Sequence, residues 1–307
     1  MFWRYLMVLF VFVIFSGSTC EREVELQLPE PPNRLVIYAA FTDSKELQVY
    51  LNSSRFVLDQ APEEYLPDVD VALFEGDQGE QMVQQLEIEI PGGRLVPFYT
   101  APGFVPDLGK DYTIRANLEG FDPVEAHSTI PLPRHFSELS ISDLVIEQNG
   151  NRIRYTYTVN LEFNDNPEEA NFYHINLFQQ VYTHPITGGD DEYVDLIPFE
   201  FSDSNDGNEI LANISGGLLL EDDPLNGNYG FRVTYEINPA TESLGKVFIE
   251  LRTVSKEYYQ FHSSVTRQSK SPGGVFTEPV FIFNNIDGGH GIFAGYSAVT
   301  DSLSIID

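Results

Sequence analysis

From Leu35 onward the chain is written in short runs where apolar and polar residues alternate, or in brief apolar stretches, each closed by turn residues. The first are LVIYAAF (35–41), LQVYLN (47–52), VDVALFEG (69–76), DYTIRANLEG (111–120) and VEAHSTI (124–130). In 111–120, Tyr112, Ile114, Ala116 and Leu118 fall on one side of an extended chain and Thr113, Arg115 and Asn117 on the other, the period of two that a half-buried strand requires. Run length and turn spacing together predict an antiparallel β-sandwich of the immunoglobulin type over 34–132. Pro131 and Pro133 withhold two backbone donors and stiffen PLPRH, so a domain boundary is expected there.

A second β-sandwich is expected over 133–307. LSISDLVIE and NRIRYTYTVNLEF flank the turn QNGN at 148–151, a hairpin signal, and Ile153, Tyr155, Tyr157, Val159 and Leu161 alternate with polar neighbours. FYHINLFQQVY, YVDLIPFEF, YGFRVTYEI and GKVFIELRTV continue the strand pattern between acidic or Gly-rich loops. One segment changes period. In SKEYYQFHSSVTRQ (255–268), Tyr258, Phe261, His262 and Val265 recur at i, i+3, i+4 and i+7, with Ser255 placed to cap the helix and Glu257 suited to its first turn. The tail EPVFIFNNIDGGHGIFAGYSAV reads as strand, Gly-rich turn, strand. The fold class predicted is all-β, two antiparallel immunoglobulin-like β-sandwich domains with one short helix in the second.

The first residues follow neither pattern. Arg4 precedes the apolar run Tyr5–Phe15 and small residues follow it, as in an export signal over 1–19; the run is shorter than a membrane span needs. It ends at Cys20, the single cysteine, which has no partner in the chain for a disulfide, so the expected fate of the thiol is lipidation. Gly17 and Thr19 depart from the usual lipidation pattern, and cleavage near Ser18 to release a soluble protein is the alternative. Residues 20–33, acidic and then Pro-rich, suit an extended linker behind a membrane anchor.

Lys and Arg number 17 against 47 Asp and Glu, a formal net charge of −30, which repels phosphate backbones and excludes nucleic acid as a partner. The acidic residues concentrate in loops of the second domain: Asp190, Asp191, Glu192 and Asp195, then Asp203 and Asp206, then Asp222 and Asp223. With Tyr193 and Tyr229 beside them they are the candidate binding loops, offering charge and stacking area on a rigid scaffold. DSNDGNE resembles a calcium loop loosely, its glycine standing fifth where that motif has it sixth, so calcium is a weak alternative to a solvated loop and no other cofactor is expected. The six histidines show no metal spacing, and no nucleophile elbow, HExxH helix or phosphate loop is present, so no catalytic residue is assigned and no enzyme is expected.

IELRTVSKEYYQFHSSV followed by FTEPVFIFNNIDGGHGIFAGYS resembles the C-terminal signature of domain of unknown function family 4249, lipoproteins of Bacteroidetes-type bacteria. The lipidated cysteine, the acidic residues behind it and a first strand like RLVIYAAF agree with that resemblance. Where His290 stands, the family pattern favours an apolar or aromatic residue. The resemblance implies an outer-membrane lipoprotein encoded beside a TonB-dependent transporter, and Glu21, Glu23 and Glu25 resemble a surface-export signal. The expected function is a non-catalytic binding accessory of TonB-dependent uptake, anchored through its N-terminal lipid and facing the cell exterior. An adhesive or structural surface protein and an unrecognised extracellular hydrolase are the alternatives.

Overall fold

The computed structural model describes residues 32–55, 66–89, 94–165, 168–184, 193–201, 210–221, 227–271 and 280–306. In chain order the strands are β1 (Leu35–Phe41), β2 (Tyr50–Ser53), β3 (Asp70–Glu75), β4 (Gln78–Gln81), β5 (Val83–Glu89), β6 (Arg94–Thr100), β7 (Asp111–Asn117), β8 (Val124–Thr129), β9 (Phe136–Asn149) and β10 (Arg152–Phe163). They continue with β11 (Phe172–Thr183), β12 (Tyr193–Pro198), β13 (Ile210–Ala212), β14 (Leu218–Glu221), β15 (Asn228–Ile237) and β16 (Glu242–Val254), then helix α1 (Lys256–Lys270) and β17 (His290–Leu303). The protein is mostly β, in several sheets and without a barrel.

The backbone of the molecule is one eight-stranded sheet ordered β13-β14-β11-β16-β17-β1-β2, with β12 pairing the far half of β11. The odd-numbered side chains of its β1, β11, β16 and β17 cover two cores. Leu35, Ile37, Ala39 and Phe41 of β1, with Phe293 of β17, pack against Val71, Leu73, Tyr112, Ile114 and Val124 of the sheet β4-β3-β7-β8. Tyr173, Ile175, Leu177, Val247, Ile249 and Leu251 of β11 and β16 pack against Tyr155, Tyr157, Val159 and Phe231 of the sheet β15-β10-β9. Alternation at the period of two is what lets a single sheet do this and still present a different surface on its even side.

Pro131–His135 marks the passage from one core to the other, but the chain does not stay in the second. Ile286 and Phe293 return to the first core, and β17 pairs β1 in parallel while pairing β16 antiparallel. Residues 33–307 form one compact unit with a shared sheet, and the expected all-antiparallel pairing gives way at β1–β17. That pairing joins residues more than 250 positions apart, which no local pattern encodes.

Several elements lie where the sequence puts them. β7 buries Tyr112, Ile114 and Ala116, and β10 buries Tyr155, Tyr157, Val159 and Leu161. Asn149 faces Arg152 across a two-residue turn in which Gly150 takes φ +61°, a conformation that favours glycine. The β5–β6 hairpin is an addition: its run carries Gln84, Gln85 and Glu87 and lacks the apolar density of the others. The strand expected over 280–285 is absent. That segment runs extended with Phe281 at 87% exposure, and the amides of Asn284 and Asn285 bond it to the turn at 286–289 and to β17.

Ser255 caps α1 as expected, its Oγ accepting from Tyr258 N. The buried face, however, is rotated from the one the spacing suggests. Tyr258, Tyr259, Ser263 and Thr266 are buried, whereas Phe261 and Val265 are only half-buried. The helix lies on the even side of the long sheet, over Phe172, Val254, Ile292 and Ala294, and a sheet floor accepts the small Ser263 and Thr266 more closely than a bulky stripe. Thr266 Oγ1 donates to Asn213 Oδ1, so part of that contact is polar. No helix among the described residues is long and apolar enough to cross a membrane.

Candidate functional site

Beyond the area covered by α1, the even side of the long sheet turns polar. Strand register decides which groups meet there. His174 of β11 stands opposite Arg252 of β16, Asn176 opposite Glu250, and Tyr38 of β1 opposite Tyr50 of β2. With Lys45, with Tyr296 of β17, and with Tyr258 and His262 from α1, all of these but Glu250 line a cleft of about 450 Å³, within the usual range for a small-molecule site.

Arg252 is the centre of this cleft. Its Nε donates to Glu250 Oε2 at 2.9 Å and its Nη2 lies 2.9 Å from the same oxygen, which also accepts from Asn176 Nδ2 at 2.9 Å. Nη1 donates to Tyr258 Oη at 3.2 Å, and the guanidinium lies 4.8 Å from the centre of the Tyr296 ring, a cation–π distance. Burial weighs against its charge, but Tyr258 and Glu250 outweigh it and hold its pKa above the ordinary value.

The proton positions around His174 follow from its partners. Gly216 O can only accept, so Nε2 carries the hydrogen and donates at 2.9 Å. Nδ1 is left to accept from Tyr258 Oη at 3.0 Å. Burial, reinforced by Arg252, lowers the His174 pKa to about 3, and the same two causes lower that of His262 to about 4, so both rings are neutral at physiological pH. Burial raises Tyr258 to about 12. Gly217 keeps this arrangement possible: at φ +74° it passes so close to His174 and Asn176 that any side chain would overlap both.

Both ring nitrogens of His174 are engaged, Tyr258 is held protonated, and one Glu250 oxygen is shared by Arg252 and Asn176, so none of the three is poised as a base or nucleophile. What the cleft offers a ligand is the outer edge of the guanidinium, Lys45 and the tyrosine rings; the Asn213 amide nitrogen beside it is buried without a partner. A larger groove of about 730 Å³ runs between β7–β8 and the start of α1. There Ser128 Oγ accepts from Gly295 N and bonds Ser255 and Glu257, so its polar groups hold β8, β17 and the helix together, and it is a seam.

The sequence-derived site residues fare differently. Cys20, Asp190, Asp191, Glu192, Asp203, Asp206, Asp222 and Asp223 lie outside the described residues. Tyr193 and Asp195 lie on β12, which among the described residues pairs β11 alone and exposes every one of its residues, including Tyr193 (62%), Val194, Leu196 and Ile197. Tyr229 is a correction: it is a core residue, stacked nearly parallel between Phe163 and Phe231, because its position on β15 points into the second core. Among the described residues no cluster of His, Cys, Asp and Glu is arranged to hold a metal.

His174, Glu250, Arg252 and Tyr296 were not singled out in the sequence. A trace was there: Glu250 and Arg252, two apart in an apolar strand, must share a face, as must His174 and Asn176. Only the β11–β16 register says that the two pairs are neighbours.

A family model described as domain of unknown function, DUF4249, matches residues 21–302, and the chain belongs to that family. No curated protein matches it.

Proposed function

We propose that this protein is a surface-exposed outer-membrane lipoprotein, held by a lipid on Cys20, that serves as a non-catalytic binding accessory of a TonB-dependent uptake system. The observation that carries the reading is β12. Among the described residues it is an edge strand with apolar side chains exposed on both faces, a template for another chain, and stable proteins leave such edges open where a partner covers them. The masked-off bases and nucleophiles of the cleft support binding over catalysis. Within this reading each core is a β-sandwich of immunoglobulin type that borrows one end of the long sheet.

Purification of the full, lipidated chain from its own membranes tests it. A TonB-dependent transporter should be recovered with the wild type and lost from a Val194→Lys, Leu196→Lys variant that still folds. Recovery of the chain alone would count for the adhesive or structural alternative. Intact mass of the extracted protein should begin at Cys20 and include acyl chains; a mature species beginning elsewhere would overturn the anchor.

A further inference from the structure

We propose that the cleft on the even side of the long sheet binds a small organic monocarboxylate, its charge held by Arg252 and Lys45 and its flat apolar body laid against Tyr38. This goes beyond the accessory reading and stands without it. Charge selects the ligand class. The chain carries 47 Asp and Glu against 17 Lys and Arg, yet among the described residues the charged groups lining the cleft are Arg252 and Lys45, with no carboxylate. His174 and His262, both neutral, add no charge. Lys45 is exposed and has no ion pair among the described residues. Of the acids beside it in sequence, Asp43 accepts from Thr42 Oγ1 and Glu46 accepts from Gly103 N. An unpaired lysine and an arginine on one cleft, in so acidic a protein, make that cleft the place where an anion is favoured.

Geometry sets the size of the charge and the shape behind it. A guanidinium has five N–H groups. In Arg252, Nε and one N–H of Nη2 face Glu250 and one of Nη1 meets Tyr258, which leaves one on each terminal nitrogen, a fork that a carboxylate fits. Glu250 and Tyr258 fix that fork before any ligand arrives. β1 ends at Phe41 opposite Gly295, so the segment after it, which carries Lys45, emerges next to Tyr296, whose ring Arg252 covers. The Tyr296 hydroxyl has no hydrogen-bond partner among the described residues and adds a donor at this cationic end. Glu250 stands outside the lining, and the charge of Asp43 reaches Tyr296; both oppose a second negative charge, so a monoanion is favoured over a dianion. At the other end Tyr38, 43% exposed, stands opposite Tyr50 across β1 and β2 as an open aromatic floor, still within reach of the Arg252 charge. A carboxylate carried on a flat apolar body meets both ends.

Fluorine NMR titration of the full chain in a non-ionic detergent, with protein-free micelles as the blank, tests the proposal with 4-fluorobenzoate and 4-fluorophenylacetate. The comparators are 4-fluorobenzamide (the same body without charge), 4-fluorobenzylamine (a cation), fluoroacetate (a carboxylate without the ring) and 4-fluorophenyl phosphate (a dianion). At least one of the two ring carboxylates should bind tenfold or more tightly than every comparator, and its affinity should fall as salt rises. Lys45 is exposed, so its variants keep the fold: Lys45→Gln should weaken the carboxylate fivefold or more, Lys45→Glu should weaken it further, and Lys45→Arg should retain it. Tyr38→Ala should bring the ring carboxylate to the level of fluoroacetate. No binding of either ring carboxylate, binding of the amide, the amine or the phosphate as tight as theirs, or affinity indifferent to Lys45→Glu would each overturn it. A Lys45→Glu protein that loses the carboxylate but still recovers the transporter separates this inference from the accessory reading.

Discussion

Asn285 pairs with Phe293 as if it were a strand: its Nδ2 donates to Phe293 O at 2.7 Å and its Oδ1 accepts from Phe293 N at 3.0 Å. One side-chain amide thus satisfies both backbone groups of a fully buried residue, and the segment 280–286 is held beside β17 without forming a ladder. Asn285→Ala should cost about 1–3 kcal/mol in urea unfolding, because two backbone groups lose their partner, and Asn285→Asp should not restore it, since a carboxylate cannot donate to Phe293 O.

The glycines of GGHGIFAG are explained by close approach. Gly291 sits at φ +112°, and a side chain there would overlap the Ile37 carbonyl of β1. Gly291→Ala should lower stability by at least about 3 kcal/mol, through strain and displacement of the β1–β17 pairing. Gly150→Ala, where open space surrounds the turn, should cost about 1 kcal/mol for its left-handed φ alone. Thermal unfolding of the two variants side by side would show the difference.

The rotated face of α1 has its own consequence. Tyr259→Ala should cost about 3–5 kcal/mol, the range for deleting a buried aromatic ring, whereas Phe261→Ala should cost clearly less because that ring is only half-buried. Equal losses would mean that the heptad-like spacing had named the packed face after all.

Stability should depend on pH through His174 and His262. Unfolded, each binds its proton near pH 6.5; folded, burial delays protonation to about 3 and about 4. The unfolded chain therefore binds more protons between those limits, so stability is full above about pH 6.5 and falls as pH drops toward 3–4, by at most about 1.4 kcal/mol per pH unit for each ring. Urea midpoints at pH 8, 6.5 and 5 should fall in that order, and His174→Gln should flatten the slope while lowering the midpoint at pH 8.

What the sequence by itself determined is local. The alternation of Tyr112, Ile114 and Ala116, the turn at Gly150 and the cap at Ser255 each depend on a few consecutive residues whose period or backbone preference is set before anything packs. The family, too, was legible in the C-terminal signature. What only the tertiary structure decided is which locally identical strands become neighbours. A polar residue on the outward side of β11 and one on the outward side of β16 read alike in sequence, as solvated positions. The register that sets His174 against Arg252, and Asn176 against Glu250, comes from burying the odd-numbered residues of both strands in a common core. The same burial drew Tyr229 inward from its expected loop and carried β17 back to β1 across most of the chain, so that two predicted domains share one sheet. Side-chain alternation commits a strand to having two faces; the partner it meets on each is decided by long-range pairing, which bears the entropy of closing the intervening chain and is repaid by apolar area no single strand can bury alone.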